Sequence, residues 1–193
     1  MPRAGLSREA VTDLAVQLVD ASPDGWAELT LAAVAGRAGV AVPSLYKHIG
    51  SLADLRRAIA LVGLLELHRR AALATVGRSG DDALRALARA LRDFARQHPG
   101  LWAATQVAPG ADPDDAPLAQ AAADVVALVA AVLQGFGLPA ERSVDAVRTT
   151  RATVHGFIEL ELHGGFGMPD DVDASFDAAL DVLAAGLRVL AAR

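Results

Sequence analysis

The sequence predicts an all-α chain, and three observations carry that expectation. Of its 193 residues, 53% are hydrophobic but only 4% are aromatic. Alanine dominates, backed by leucine, arginine and aspartate, so strong helix formers abound while the β-branched and aromatic material of sheets is scarce. Apolar residues also recur with a period near 3.6 in run after run, divided by Gly, Pro and Ser/Thr/Asp punctuation.

The elements follow in order. Ser7 is placed as an N-cap before an amphipathic run carrying Val11, Leu14, Ala15 and Leu18, and Ser22-Pro23-Asp24-Gly25 closes it. Thr30 caps a short second helix that turns Val34 and Ala38 inward and stops at Gly39. Val42 to His48 gives two turns, with Pro43 in the first, where its missing N–H costs nothing. Ser51 caps a longer helix, Asp54 three residues on completes a capping box, and Leu52, Leu55, Ile59, Val62 and Leu65 keep the helical period. Helices are then expected over Asp81–Gln97, Leu101–Val107, Ala116–Phe136, Pro139–His163 and from Asp173 to the end. The stretch 108–117 holds three prolines and reads as a loop, and Gly164 to Pro169 as a tight connector.

Composition removes several function classes. With no cysteine, the chain has no disulfide scaffold, thiol chemistry or zinc–cysteine site. Charge interrupts the N-terminus before any apolar leader could form, and the longest uncharged stretch, Val125 to Ala140, is broken by Gln134, Gly135, Gly137 and Pro139. A soluble cytoplasmic protein without membrane contact is therefore expected. The net charge of −5 argues against a polyanion partner, but it is unevenly spread. Residues 1–70 hold eight basic and seven acidic side chains, and residues 71–193 ten and sixteen. Two domains are expected, 1–52 and 53–193.

The informative region lies between Glu28 and Asp54, where no acidic residue occurs. Two short helices joined through Gly39 have helix-turn-helix spacing, with Val34, Ala35, Val40 and Leu45 packing the pair. The second would present Val42, Pro43, Ser44, Tyr46, Lys47 and His48 outward, and an exposed, acid-free helix of hydroxyls and bases suits a polyanion. The segment from Leu29 to Leu55 also closely resembles the DNA-binding domain of TetR-type transcriptional regulators, in Ala35, Gly39, Val40, Leu45, Tyr46, His48 and Ile49. The resemblance implies a homodimer on a palindromic double-stranded operator. Tyr46, Lys47 and His48 would lie at the sugar-phosphate backbone, Val42, Pro43 and Ser44 at base edges, and Thr30 would cap a helix whose dipole faces a phosphate. The sequence departs from the family at Ala32, Ala33 and Leu52, where basic residues are common, so fewer formal charges serve phosphate. Arg3, Arg8, Arg37 and Arg56 remain as peripheral cations.

A second resemblance covers Val154-His155-Gly156 through Gly167 and Asp171 to Phe176, which looks like the C-terminal WHG (Trp-His-Gly) domain of one branch of these regulators, with Val154 in place of Trp. It implies a bundle that dimerises and binds a small-molecule effector. Phe94, Trp102, Gln106, Arg151 and His155 are the effector-binding candidates, an apolar bundle with a few polar groups being what such a sensor needs. The small-residue row Ala179, Val182, Gly186 and Val189 on the last helix is the candidate dimer interface. His155, Glu159 and His163 share a helix face, but one helix alone supplies them, so no metal, cofactor or catalytic residue is expected. The expected function is a repressor released by its effector. A helical interaction protein that has lost DNA binding stands as the alternative, consistent with Ala32, Leu52 and the acidic balance.

Overall fold

The computed structural model describes residues 6–22, 24–110 and 115–192, and every helix or strand assigned among them is a helix. In chain order these are α1 (Arg8–Val19), α2 (Gly25–Glu28), α3 (Leu31–Ala38), α4 (Val42–Leu45), α5 (Leu52–Thr75), α6 (Gly80–Gln97), α7 (Pro99–Ala104), α8 (Ala116–Gln134), α9 (Ser143–Leu162) and α10 (Val172–Ala191). The caps sit where the side-chain chemistry puts them. Ser7 Oγ accepts the Ala10 N–H at 3.1 Å and Thr30 Oγ1 the Ala33 N–H at 3.2 Å. At the start of α5, Ser51 Oγ accepts from the Asp54 N–H at 3.0 Å while Asp54 Oδ2 takes the Gly50 N–H at 2.9 Å.

Several boundaries differ from expectation for local reasons. The segment after α1 does not merely close a helix but forms α2, because Gly25 lets the backbone pass against the Val19 carbonyl; Pro23 lies outside the described residues. Regular α-helix in α4 ends at Leu45, and the coil through His48 is carried by tight turns, with the Leu45 carbonyl accepting from His48 at 2.8 Å and Ile49 at 3.0 Å. Pro99 opens α7 two residues before the expected start, since a proline in the first turn loses no bond. A 3-10 turn, Ala140–Arg142, precedes α9. Of the expected loop 108–117, residues 111–114 lie outside the described residues.

The chain divides into two compact units, one of residues 1–65 and 98–122, the other of 66–97 and 123–193. The division falls within α5 rather than at its start, and a later segment returns to the first unit. That differs from the expected 1–52 and 53–193. The cause is α7, which packs on α1 and α2. Gly100 permits the contact: a Cβ there would meet the Val19 carbonyl oxygen at 2.1 Å. Asp20 then binds both ends of the junction, taking the Leu101 N–H at 2.9 Å on one oxygen and facing His98 Nδ1 at 2.8 Å with the other. The core of this unit is Val11, Ala15, Val19, Val34, Leu45, Ile49, Leu55 and Ile59.

In the second unit α6, α9 and α10 pack together around Leu84, Leu87, Val154, Ile158, Phe176, Leu180 and Leu187. Charge lines the α6–α10 seam. Arg85 pairs with Asp181, Arg89 with Asp177 at 2.7 Å, and Asp81 with Arg188. At its end the buried Arg92 grips Glu161 through two bonds of 2.6 and 2.7 Å and reaches Asp173 at 2.8 Å, its guanidinium 4.5 Å from the Phe176 ring centre.

One expectation needs correction. The stretch from Ala116 to Gln134 is a continuous helix with mean hydropathy of 1.9 over its most apolar window, long and apolar enough by composition to cross a membrane. Counting uncharged residues alone missed it, because the single Asp124 divides the run. In the fold Leu118, Ala121, Val129, Val132 and Leu133 are buried against protein.

Candidate nucleic-acid interface

The helix-turn-helix is built from α3, a three-residue turn and α4. Thr30 caps the N-terminus of α3, and replacing such a cap costs about 1 kcal/mol. Gly39 ends α3 with φ of +68°, a left-handed conformation in which the Val40 N–H returns to the Ala35 carbonyl at 3.0 Å. A β-carbon at Gly39 would meet no neighbour, so conformation rather than space selects glycine. Val34, Ala35 and Leu45 are buried and hold α3 against α1 and α4.

That packing decides what is left outside. Tyr46 is 56% exposed, Pro43 and Lys47 are exposed, and Val42, Ser44 and His48 are half-buried. Thr30 is exposed at the start of α3, its side chain engaged in the cap. The nearest carboxylate downstream, Asp54, is already neutralised. Arg8 donates to both its oxygens, at 2.8 and 2.6 Å, and this holds the carboxyl far below its usual range, at about 2.

The same bridge corrects the count of peripheral cations. Arg8 is engaged with Asp54, the Arg56 guanidinium lies over the Trp26 ring at 5.6 Å, and Arg37 donates to Gln17 at 3.4 Å. Arg3 lies outside the described residues. Lys47, in the turns that follow α4, is an exposed cation of this surface. Beside Arg8 and Asp54 an open cleft of about 970 Å³ runs past Thr12, Arg57, Leu61 and Asp115, a feature the sequence did not announce because Asp115 sits 58 residues from its partner Arg57.

The effector candidates are divided between the units. Trp102 and Gln106 belong to the first, where Trp102 is 1% exposed and Gln106 is exposed and donates to Thr105 Oγ1 at 2.9 Å. Phe94, Arg151 and His155 belong to the second. Phe94 is fully buried, with the Arg70 guanidinium 5.5 Å from its ring centre, and Arg151 is exposed. His155 is half-buried, and burial, with the charge of Arg151, pushes its imidazole down to about 4. It is therefore neutral at pH 7. Glu159 and His163 lie exposed on the same helix, His163 Nδ1 bonding the Glu159 carbonyl at 2.9 Å.

On α10, Val182 and Val189 are 75% and 54% exposed, Ala179 is half-buried and Gly186 opens onto empty space. With Thr149 and Thr153 of α9, Ala179, Val182 and Gly186 line a shallow groove of about 270 Å³.

Comparison with known proteins agrees with this architecture. Residues 84–183 match the tetracyclin repressor-like C-terminal domain. The chain is 37% identical over 187 residues to the uncharacterized HTH-type transcriptional regulator Rv0681 of Mycobacterium tuberculosis, covering 95% of this chain and 83% of that one. A protein of unknown function from Rhodococcus sp. RHA1 superposes with a TM-score of 0.79 at 24% identity, over 97% and 99% of the two chains. A TetR variant from Acinetobacter baumannii AYE, solved in complex with minocycline, superposes with a TM-score of 0.66 at 25% identity, over 96% and 98%. With half its length matching the family's C-terminal domain and nearly all of it matching a helix-turn-helix regulator, this chain belongs to the TetR family of transcriptional regulators.

Proposed function

We propose that the chain is a one-component repressor that binds a palindromic operator in the cytoplasm as a homodimer and is released by a small-molecule effector. The observation that carries this reading is the exposed, acid-free surface of α4 and its following turns, with Tyr46 and Lys47 outermost. Tyr46, Lys47 and His48 hold the sugar-phosphate backbone, Val42, Pro43 and Ser44 meet base edges, and Thr30 aims the N-terminus of α3 at a phosphate. The exposed row Val182, Gly186 and Val189, with Ala179, supports pairing of two copies through α9 and α10. A two-fold pair would read two half-sites together, which lifts affinity for a head this small. For the effector, Gln106 in the first unit and Arg151 and His155 in the second are accessible enough to touch a ligand, while Phe94 and Trp102 are buried packing within their own units.

The test is fluorescence anisotropy with duplexes from the DNA flanking the protein's own gene. Lys47→Ala or Tyr46→Phe is expected to weaken specific and non-specific duplexes alike, whereas Ser44→Ala shifts the preferred operator without uniform loss. A changed consensus for Lys47→Ala would reverse these assignments. Leu52→Lys should steepen the dependence of log affinity on log salt by roughly two per dimer, one phosphate for each head. No binding to any flanking duplex at low salt would leave the lost-DNA-binding alternative standing.

The pairing surface has its own prediction. Gly186→Leu should abolish dimers at micromolar concentration in sedimentation, because a large side chain would hold the helices apart, while the helical circular dichroism of the variant stays that of the parent. An unchanged dimer would place the interface elsewhere.

A further inference from the structure

The outward face of α9 carries a charge pattern that is complementary to its own reverse. Core residues Ala146, Val147, Thr150, Val154 and Ile158 take one side of the helix. On the opposite side Asp145, Arg148, Ala152, Gly156, Glu159 and His163 are all exposed and follow one another at steps of three or four, so they form one stripe. Two alanine-sized positions occupy its middle, and a Cβ built at Gly156 meets nothing within 4 Å. Read outward from the middle, the two ends carry opposite charge order: base then acid toward the start of the helix (Arg148, Asp145), acid then histidine toward its end (Glu159, His163).

We infer that α9 pairs with α9 of a second copy in antiparallel fashion about a two-fold axis level with Val154, placing Arg148 against the partner's Glu159, Asp145 against the partner's His163, and Ala152 against the partner's Gly156. This rests on the dimeric reading above and adds its direction and register. Three pairs fall into step together, because each couple is equidistant from the centre of the stripe to within one residue. The small central pair lets the two backbones approach, as closely packed helices require. Direction is decided by charge. A parallel pairing in register would set Arg148 against Arg148, Asp145 against Asp145 and Glu159 against Glu159, and like charges across an interface are strongly disfavoured. Arg142 stands 3.9 Å from Asp145, a loose contact between exposed side chains. The stripe also borders the groove that Thr149 and Thr153 form with α10, so the pairing surface is continuous with the row at Val182 and Gly186.

Charge reversal tests the register in the full chain. Each single change, Arg148→Glu or Glu159→Arg, puts like charges together twice per dimer and should raise the dimer dissociation constant roughly tenfold or more, read by sedimentation equilibrium at low salt. The double variant R148E/E159R restores opposite charges and should return to within about threefold of the parent. Because the chain has no cysteine, crosslinking gives a second readout that does not depend on the reversed chains folding equally well. Mixed A152C and G156C chains should oxidise to the mixed dimer faster than either chain alone, since only that couple faces directly. If the parent dimerises but both single reversals leave its constant unchanged, or the double fails to recover, or A152C alone crosslinks fastest, the antiparallel register is wrong and the dimeric reading survives. A parent that stays monomeric at high concentration would remove both.

Discussion

Gly100→Ala is expected to lower the stability of the N-terminal unit by about 3 kcal/mol, the upper part of the range for overpacking a tight contact. A β-carbon at that position would lie 2.1 Å from the Val19 carbonyl oxygen and 2.3 Å from its carbon, both backbone atoms at the end of α1 that cannot rotate away. Gly25 approaches the same carbonyl, where an added Cβ would sit at 2.3 Å, so α2 and α7 are both seated on one spot. Asp20 fastens that seat through His98 and the Leu101 N–H. Relief therefore requires lifting α7 and losing those bonds as well. Gly36→Ala is the control: its Cβ would meet nothing, and a glycine inside a helix gains roughly 0.5–1 kcal/mol on becoming alanine. Urea unfolding followed by circular dichroism should separate the two in opposite directions. A neutral Gly100→Ala would mean that α7 is not held to α1 as described.

Removing Glu161 should be the other costly change, about 3 kcal/mol, because it leaves the buried Arg92 guanidinium without its bidentate partner. Asp173 remains near Arg92, but it is mostly exposed and cannot replace two short bonds. Glu161→Leu should therefore be strongly destabilising, whereas Glu161→Leu with Arg92→Met should recover most of the loss, since apolar pairs often replace buried ion pairs without penalty. Acid tests the same contact. Hydrogen bonds from Arg92 and Arg96 hold the Glu161 carboxyl below its ordinary value of 4.5, so the folded state binds its proton later than the unfolded chain does. The stabilisation is thus fully present above that ordinary value and disappears as pH falls through the lowered one. Thermal melts between pH 6 and pH 3 should lose stability in the parent, and Glu161→Gln should flatten that part of the slope. Equal slopes would mean that this carboxylate is not the group responsible.

Much of this fold was legible because helix ends are local chemistry. Ser7, Thr30 and Ser51 each satisfy an N–H three residues away, and Gly39 supplies a left-handed residue where the chain turns, so four neighbouring letters contain the whole cause. The acid-free helix was visible for the same reason. What could not be seen depends on partners far apart in sequence. Asp20 meets His98 across 78 positions, and that contact, with Gly100, moves α7 into the N-terminal unit and shifts the boundary away from residue 52. Arg8 read as a spare cation until the fold put Asp54 beside it, 46 residues on. The α6–α10 ladder had a signal that went unused: arginines at 85, 89, 92 and 96 and aspartates at 173, 177 and 181 are two stripes of opposite sign at helical spacing. For the effector residues the sequence offered apolar bulk and a few polar groups, with nothing to say which of them face outward. Burial then sent Phe94 and Trp102 inward and left Gln106 outside.

Lys47, exposed in the turns after α4, is the sole lysine among eighteen strong bases. Arginine does not react with acylating reagents under mild conditions, so an amine-directed reagent has one side chain to attack in each copy, together with the α-amino group at the chain start. On the proposed function, that side chain is a built-in reporter at the DNA-reading surface. Acylation there removes the charge, and the rate of acylation measures how often that surface is uncovered. If Lys47 meets DNA as proposed, mass spectrometry of one peptide would follow operator occupancy without any engineered label, and any lysine-acylating activity would act at the same side chain.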